Sequence, residues 1–286
     1  MPVAQNAPTG SARPPGLPDF AQPPVVETVL GVSFHEVPEL DTIQLGRLWE
    51  RHLAQDFPKF EEAPPYEAPV ERFAPEIGAE GPALSLRVGV PPRRVLFSAG
   101  NDLLQVQRDW FAFNWRKTSE RQTYVRYEAG RVRFEKYYKM LEGFLAEEAG
   151  TSLHPTQCEV TYVNHIDVAG VDEPLLDSVL GDLALQGGTH LPLPDDIEFS
   201  CHYDMGLLGE TRGRLHVTAR TATRRIDASR FVLLTLTARG MPHSPDLDGV
   251  LAFLDNGREW VVTGFDELTT GTMHERWGKL MKESAT

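Results

Sequence analysis

Two hydrophobic periods alternate along this chain, and the order in which they do so occurs twice; no other feature restricts the fold as much. In Val26, Thr28, Leu30, Val32 and Phe34 every second residue can face a core, the period of a half-buried strand. Asp41 then opens a helix, with Gln44 placed to complete a capping box, and Leu45, Leu48, Trp49 and Leu53 form its apolar stripe before Pro58 ends it. A hairpin is predicted from strands at 95–98 and 103–107 about Ala99-Gly100-Asn101-Asp102. A third strand at 110–115 carries Phe111, Phe113 and Trp115 on one face and Asn114 on the other. A long helix over 122–149 follows, in which Phe134, Tyr137, Tyr138, Leu141, Phe144 and Leu145 keep the i, i+3, i+4 rhythm, and Gly150 is free to take positive φ at its end.

The second half reads the same way. Residues 157–166 alternate, with Cys158, Val160, Tyr162, Asn164 and Ile166 on one face. A short helix at 173–185 precedes strands at 197–205, 213–222 and 230–239, the last apolar on both faces as a central strand is. A terminal helix at 246–269 contains Asn256-Gly257, which predicts a kink. After it, Trp277 reads as a packing anchor. The fold class expected is therefore α+β: two tandem β-α-β-β-β-α modules, 25–150 and 151–286, each an antiparallel sheet packed on a long helix. Together they would form a saddle or open half-barrel. Residues 1–24, rich in proline, predict a disordered arm, so that order begins at Val25. Residues 58–92 predict a long proline-rich connector, with a short strand at 84–88, of a length suited to covering a cleft.

Composition excludes several functions. The formal charge of −13 opposes a generic nucleic-acid surface, which needs basic residues to attract phosphates. No apolar run approaches the roughly 20 residues of a membrane span, and the arm has no apolar signal region, so a cytoplasmic location with no membrane partner is expected. Cys158 and Cys201 are too few for a disulfide framework or a four-cysteine zinc site and read as small buried hydrophobes. No Gly-x-Ser-x-Gly, Gly-x-x-x-x-Gly-Lys-Ser/Thr, Gly-x-Gly-x-x-Gly or His-Glu-x-x-His motif is present, which removes the commonest hydrolase, nucleotide and zincin readings but not catalysis as such.

The stretches Gln105-Val106-Gln107-Arg108-Asp109-x-Phe111-x-Phe113-Asn114-Trp115-Arg116-Lys117 and Gln157-Cys158-Glu159-Val160-Thr161-Tyr162-Val163-Asn164-His165-Ile166 resemble a sporadically distributed bacterial family of uncharacterised proteins. So do the entry Pro23-Pro24-Val25-Val26-Glu27 and the ending around Met273-His274 and Trp277-Gly278. The resemblance implies no reaction. A patchy distribution is the habit of accessory genes, and it favours conflict, regulation or niche roles over central metabolism.

Candidate site residues come from strand parity and charge. Gln157, Glu159, Thr161 and His165 share one face of their strand, either a solvated surface or the lining of a concave sheet. Asn164 points the other way, where a buried amide ties down backbone. Two basic clusters, Arg116 to Lys139 and Arg212 to Arg239, suit an anionic ligand if they flank one hollow, or are a solvated helix face and hairpin turns if they do not. The ligand-binding set is then Gln105, Gln107, Arg108, Asn114, Trp115, Arg116, Lys117, Glu159, Thr161, His165 and Arg220. His165-x-Asp167 and His202-x-Asp204 each offer imidazole and carboxylate together, but a pair is short of a site, so no metal and no cofactor is expected. Three functions stay open: a ligand-binding or regulatory module for a small anionic or amphipathic molecule, a protein-interaction subunit that is a scaffold or neutraliser in an accessory or defence system, and an enzyme of unrecognised type.

Overall fold

The computed structural model describes residues 16–71, 73, 93–119, 122–168, 175–181, 196–206 and 213–280. Most elements lie within a few residues of the periodic segments. They are β1 (Val25–Phe34), α1 (Thr42–Leu48, continued by a π-helical turn Trp49–Leu53), β2 (Lys59–Ala63), β3 (Arg94–Ala99), β4 (Asp102–Gln107), β5 (Trp110–Arg116) and α2 (Tyr127–Ala149). The second half supplies β6 (Pro155–Asp167), α3 (Leu175–Val179), β7 (Glu198–Asp204), β8 (Gly213–Thr223), β9 (Arg230–Gly240), α4 (Leu247–Leu268) and α5 (Gly271–Arg276). Gly100 and Gly150 take the positive φ that the hairpin and the helix end require.

All the strands belong to one antiparallel nine-stranded sheet, in the order β2-β3-β4-β5-β1-β6-β9-β8-β7. This overturns the expected pair of modules with separate sheets. β1 and β6 pair along almost their whole length, from Val25 against Asn164 to Phe34 against Pro155, so two would-be edges become the middle of a single sheet. The core is likewise one cluster, running without a break from Leu30 and Phe111 to Leu236 and Phe265. Period-2 patterning tells which face a residue takes but not which strand lies beside it, and a module boundary cannot be read from it.

α2 and α4 lie against the same face of the sheet. α2 buries Phe134, Tyr138 and Leu141; Phe134 and Tyr138 each meet Phe111 of β5 edge-on. α4 lays Val250, Phe253, Leu254 and Val261 against β6 and β9. Asn256-Gly257 does not interrupt α4. A Cβ on Gly257 would stand 3.2 Å from both Ala238 and Val160, so the glycine is where the helix comes closest to the sheet.

Two further expectations change. Order begins before Val25: Phe20 is buried, pairs with Lys279, and meets Phe265 and Trp277 edge-on, so residues 16–24 close over the end of the core. The connector range contains an exposed edge strand, β2, whose charged sequence hid it. The strand expected at 84–88 lies outside the described residues, as do 173–174 and 182–185 of the helix expected at 173–185, within which α3 spans Leu175–Val179. Among the described residues no helix is long and apolar enough to cross a membrane.

Gly257→Val, which pushes α4 off the sheet, is expected to cost about 1–3 kcal/mol in denaturant unfolding. Gly143→Ala, on the exposed side of α2 with open space around it, should add up to ~1 kcal/mol. Equal effects of the two would contradict the close approach.

Candidate functional site

With the helices on one face, alternation gives the other face to polar residues, as in antiparallel sheets solvated on one side. Here, however, that face is largely buried: Gln105, Gln107, Asn114, Glu159, Thr161 and Thr237 are all nearly inaccessible. Registers align them in rows across the strands. One row runs Gln105, Ala112, Gly31, Glu159, Arg239, Arg214; the next contains Asn114, Val29, Thr161, Thr237 and His216.

The rows are wired by hydrogen bonds. Arg94 donates to Gln105 Oε1 at 2.9 Å, Gln105 Nε2 donates to Asn114 Oδ1 at 2.8 Å, and Asn114 Nδ2 donates to Glu27 at 2.7 Å. Further along, Glu159 Oε2 accepts from Nε and Nη2 of Arg239 at 3.0 and 2.8 Å, Thr161 Oγ1 donates to Glu159 Oε1, and the Thr161 and Thr237 hydroxyls meet at 2.9 Å. A buried polar network whose members are paired is rigid, and each member has a reason to hold one rotamer.

A strap covers this floor. After β2 the chain from Pro64 to Glu71 crosses the polar face, and two glutamines grip its main chain. Gln107 accepts from Tyr66 N at 2.9 Å and donates to Tyr66 O at 2.8 Å. Gln157 accepts from Glu71 N and donates to Pro69 O, both at 2.8 Å. The Tyr66 ring sits 4.9 Å from Trp110, with the Arg94 guanidinium 5.8 Å from its centre. Trp110 can serve as this shelf because its six-membered ring comes close over Gly31, where a Cβ would come within 2.4 Å of the indole. The Glu71 carboxylate, 6% exposed, is held by Arg214 Nη1 at 2.9 Å and by His216 Nε2 at 2.7 Å. Burial pushes the Tyr66 phenol above its ordinary range; the Glu159 charge adds to this, and Arg239 and Arg94 oppose it.

The structure gathers Gln105, Gln107, Asn114, Glu159 and Thr161 on this floor and disperses the rest of the expected set. Trp115 is on the helix face, buried edge-on against Tyr124. Arg108 sits in the β4–β5 turn facing Glu36. Arg116 ends β5 and Lys117 follows it; Arg116 is exposed, and their N–H groups bond Asn101 O and Val26 O. His165 packs on Phe231, in a row with Leu233 and the exposed Arg220. That row is six residues from Glu159 along β6, about 20 Å away. Asn164, on the core side, donates to Leu234 O.

The first basic cluster does not flank the hollow. Arg126, Arg131, Arg133 and Lys136 pair with Asp19, Asp255, Asp102 and Asp56 and fasten α2 to the rest of the chain. Among the described residues no three His, Cys, Asp or Glu side chains group as a metal site needs. A cavity beneath Phe20, bordered by Tyr124, Tyr162 and Arg258, measures about 40 Å³, room for a few waters.

Sequence reasoning missed Tyr66, Trp110 and His216, and from the cluster Arg212 to Arg239 it singled out Arg220, whereas the structure brings Arg214 and Arg239 to the floor. Parity alone places Arg214, His216 and Arg239 with Glu159 once the β6–β9–β8 order is known; nothing local marks Tyr66 and Glu71, whose partners are far along the chain. Compared with family models and with curated proteins, the chain matches none.

Gly31→Ala is expected to lift Trp110 from the sheet and take away the shelf under Tyr66, changing the near-ultraviolet circular dichroism and costing about 1–3 kcal/mol. An unchanged spectrum and melting temperature would show that the indole does not depend on this glycine.

Proposed function

We propose that this chain is a binding module whose polar sheet face recognises an anionic ligand, taking its carboxylate between Arg214 and His216. One observation carries the reading. Arg214 and Arg239 stand directly opposite each other on β8 and β9, a pairing of like charges that is unfavourable unless each is neutralised. The sheet supplies one carboxylate, Glu159, and Arg239 takes it with two hydrogen bonds. The other comes from outside the sheet, from Glu71 on the strap. Glu71 thus brings a carboxylate from outside the sheet to a defined place, between Arg214 and His216.

The surroundings favour recognition over chemistry. Glu159, the buried carboxylate of the floor, is committed to Arg239 and Thr161, and its neighbours hold one another in place as a recognition surface requires. The acidic charge of the whole chain does not prevent anion capture, because exposed charges beyond about 8 Å are screened at physiological ionic strength. A regulatory role in an accessory system fits a module of this kind.

Acetate is a direct probe. It is expected to raise the melting temperature of Glu71→Ala, by about 1.4 kcal/mol of stabilisation at tenfold over its Kd. The wild type, whose site Glu71 fills, should respond far less, and so should Glu71→Ala/Arg214→Ala. The same response in all three proteins would contradict the proposal.

A further inference from the structure

Resting on that reading, we infer that the ligand is an extended acidic segment of another polypeptide, and that the strap is a built-in competitor occupying its place. A free carboxylate would engage Arg214 and His216 and leave the rest of the floor idle. The floor does more. Gln107 and Gln157, on different strands, each make a donor–acceptor pair with main-chain groups of the strap, at Tyr66 and at Pro69 and Glu71. Primary amides paired this way read the backbone of an extended chain whatever its side chains, which is the logic of a peptide groove. Side-chain selectivity is left to two places: the Trp110 shelf with Arg94 for an aromatic ring, and the Arg214–His216 clamp for a carboxylate.

The spacing agrees. From β5, which carries Trp110, to β8, which carries Arg214, there are four strand intervals, roughly 19 Å. The five residue steps from Tyr66 to Glu71 span at most about 18 Å when extended. An occupant therefore needs an aromatic residue and, five positions later, an acidic one, on a chain that crosses the strands. Trp110 Nε1 and Ser33 Oγ, side by side on this face, are buried without a hydrogen-bond partner. The strap thus leaves polar groups of the floor unused that a better-fitting segment would reach.

The strap is also built to leave. None of its described residues belongs to the buried core, and Val70 is 77% exposed, so polar contacts hold it. Ala63 and Arg94, which bound the insertion of residues 64–93, are cross-strand partners on β2 and β3. The described residues that follow Ala63, 64–71, belong to no strand, so lifting them from the floor leaves the β2–β3 pairing intact.

The test uses a labelled peptide with the sequence of residues 64–73, titrated into the full-length chain. Tyr66→Ala/Glu71→Ala, which weakens the competitor, is expected to bind it at least tenfold more tightly than the wild type. Adding Gln107→Ala and Gln157→Ala in that background should remove the gain, and a peptide with its tyrosine and final glutamate replaced should not bind. Hydrogen exchange on the unaltered protein supplies a measurement that needs no variant: excess peptide should accelerate exchange of the Tyr66 and Glu71 amides. Equal affinity for wild type and variant, or exchange at those amides that does not respond, would overturn the inference. Acetate stabilisation of Glu71→Ala without peptide binding would leave the carboxylate site standing and remove the polypeptide ligand; failure of both would remove both.

Discussion

The pairing of β1 with β6 organises everything else. Each opens its half of the sequence, and each would be an exposed edge if the halves kept separate sheets. Joined, they put Gly31 beside Glu159 and Val29 beside Thr161, and so bring residues from both halves into common rows. The join also makes the apolar face continuous, so that α2 and α4 share one core and the opposite face is left as a single surface. A floor extending from Gln105 on β4 to His216 on β8 exists only because that seam is closed.

That floor is polar, buried and internally paired, an arrangement that costs stability unless each group finds a partner. Most partners lie within the sheet: Asn114 has Gln105 and Glu27, and Arg239 has Glu159. The strap completes what the sheet leaves open, the glutamine amides, the Trp110 shelf and the charge of Arg214. Groups of this kind accept water readily when uncovered. Exposing them is a modest change, unlike exposing Phe134 or Leu254, which have only hydrocarbon to offer. The molecule therefore has a firm face and an exchangeable one, divided by the plane of the sheet.

Much of this was legible in the residues. Period-2 alternation set Asn114 apart from Phe111 and Phe113, and Glu159 and Thr161 apart from Asn164, because parity along a strand is a local property; Gln105 and Gln107 entered as polar neighbours of the basic cluster. Alternation did not locate them along the strand axis, and for that reason His165 and Arg220 were grouped with residues some 20 Å away. Trp115 entered the candidate set through its basic neighbours although its parity matched Phe111 and Phe113. The separate modules failed for a related reason: the partner of a strand edge is not written in the strand. Gly257 and Gly31 carry meanings that only packing reveals, a helix pressed onto Val160 and an indole close over backbone. The connector was long enough to cover a cleft, but its grip through Tyr66 and Glu71 depends on β4, β6 and β8 arriving together.

On the proposed reading the sheet and its polar floor keep their fold when the strap is absent, with the groups it covered left to water. The most direct measurement is the unfolding free energy of a chain in which residues 64–92 are replaced by a short turn joining β2 to β3. The account expects cooperative unfolding with stability no lower than the wild type's, since each halving of a loop returns about 0.6 kcal/mol of closure entropy. A loss of several kcal/mol, comparable to emptying a core position, would show that the strap is part of the fold and not the occupant of a site.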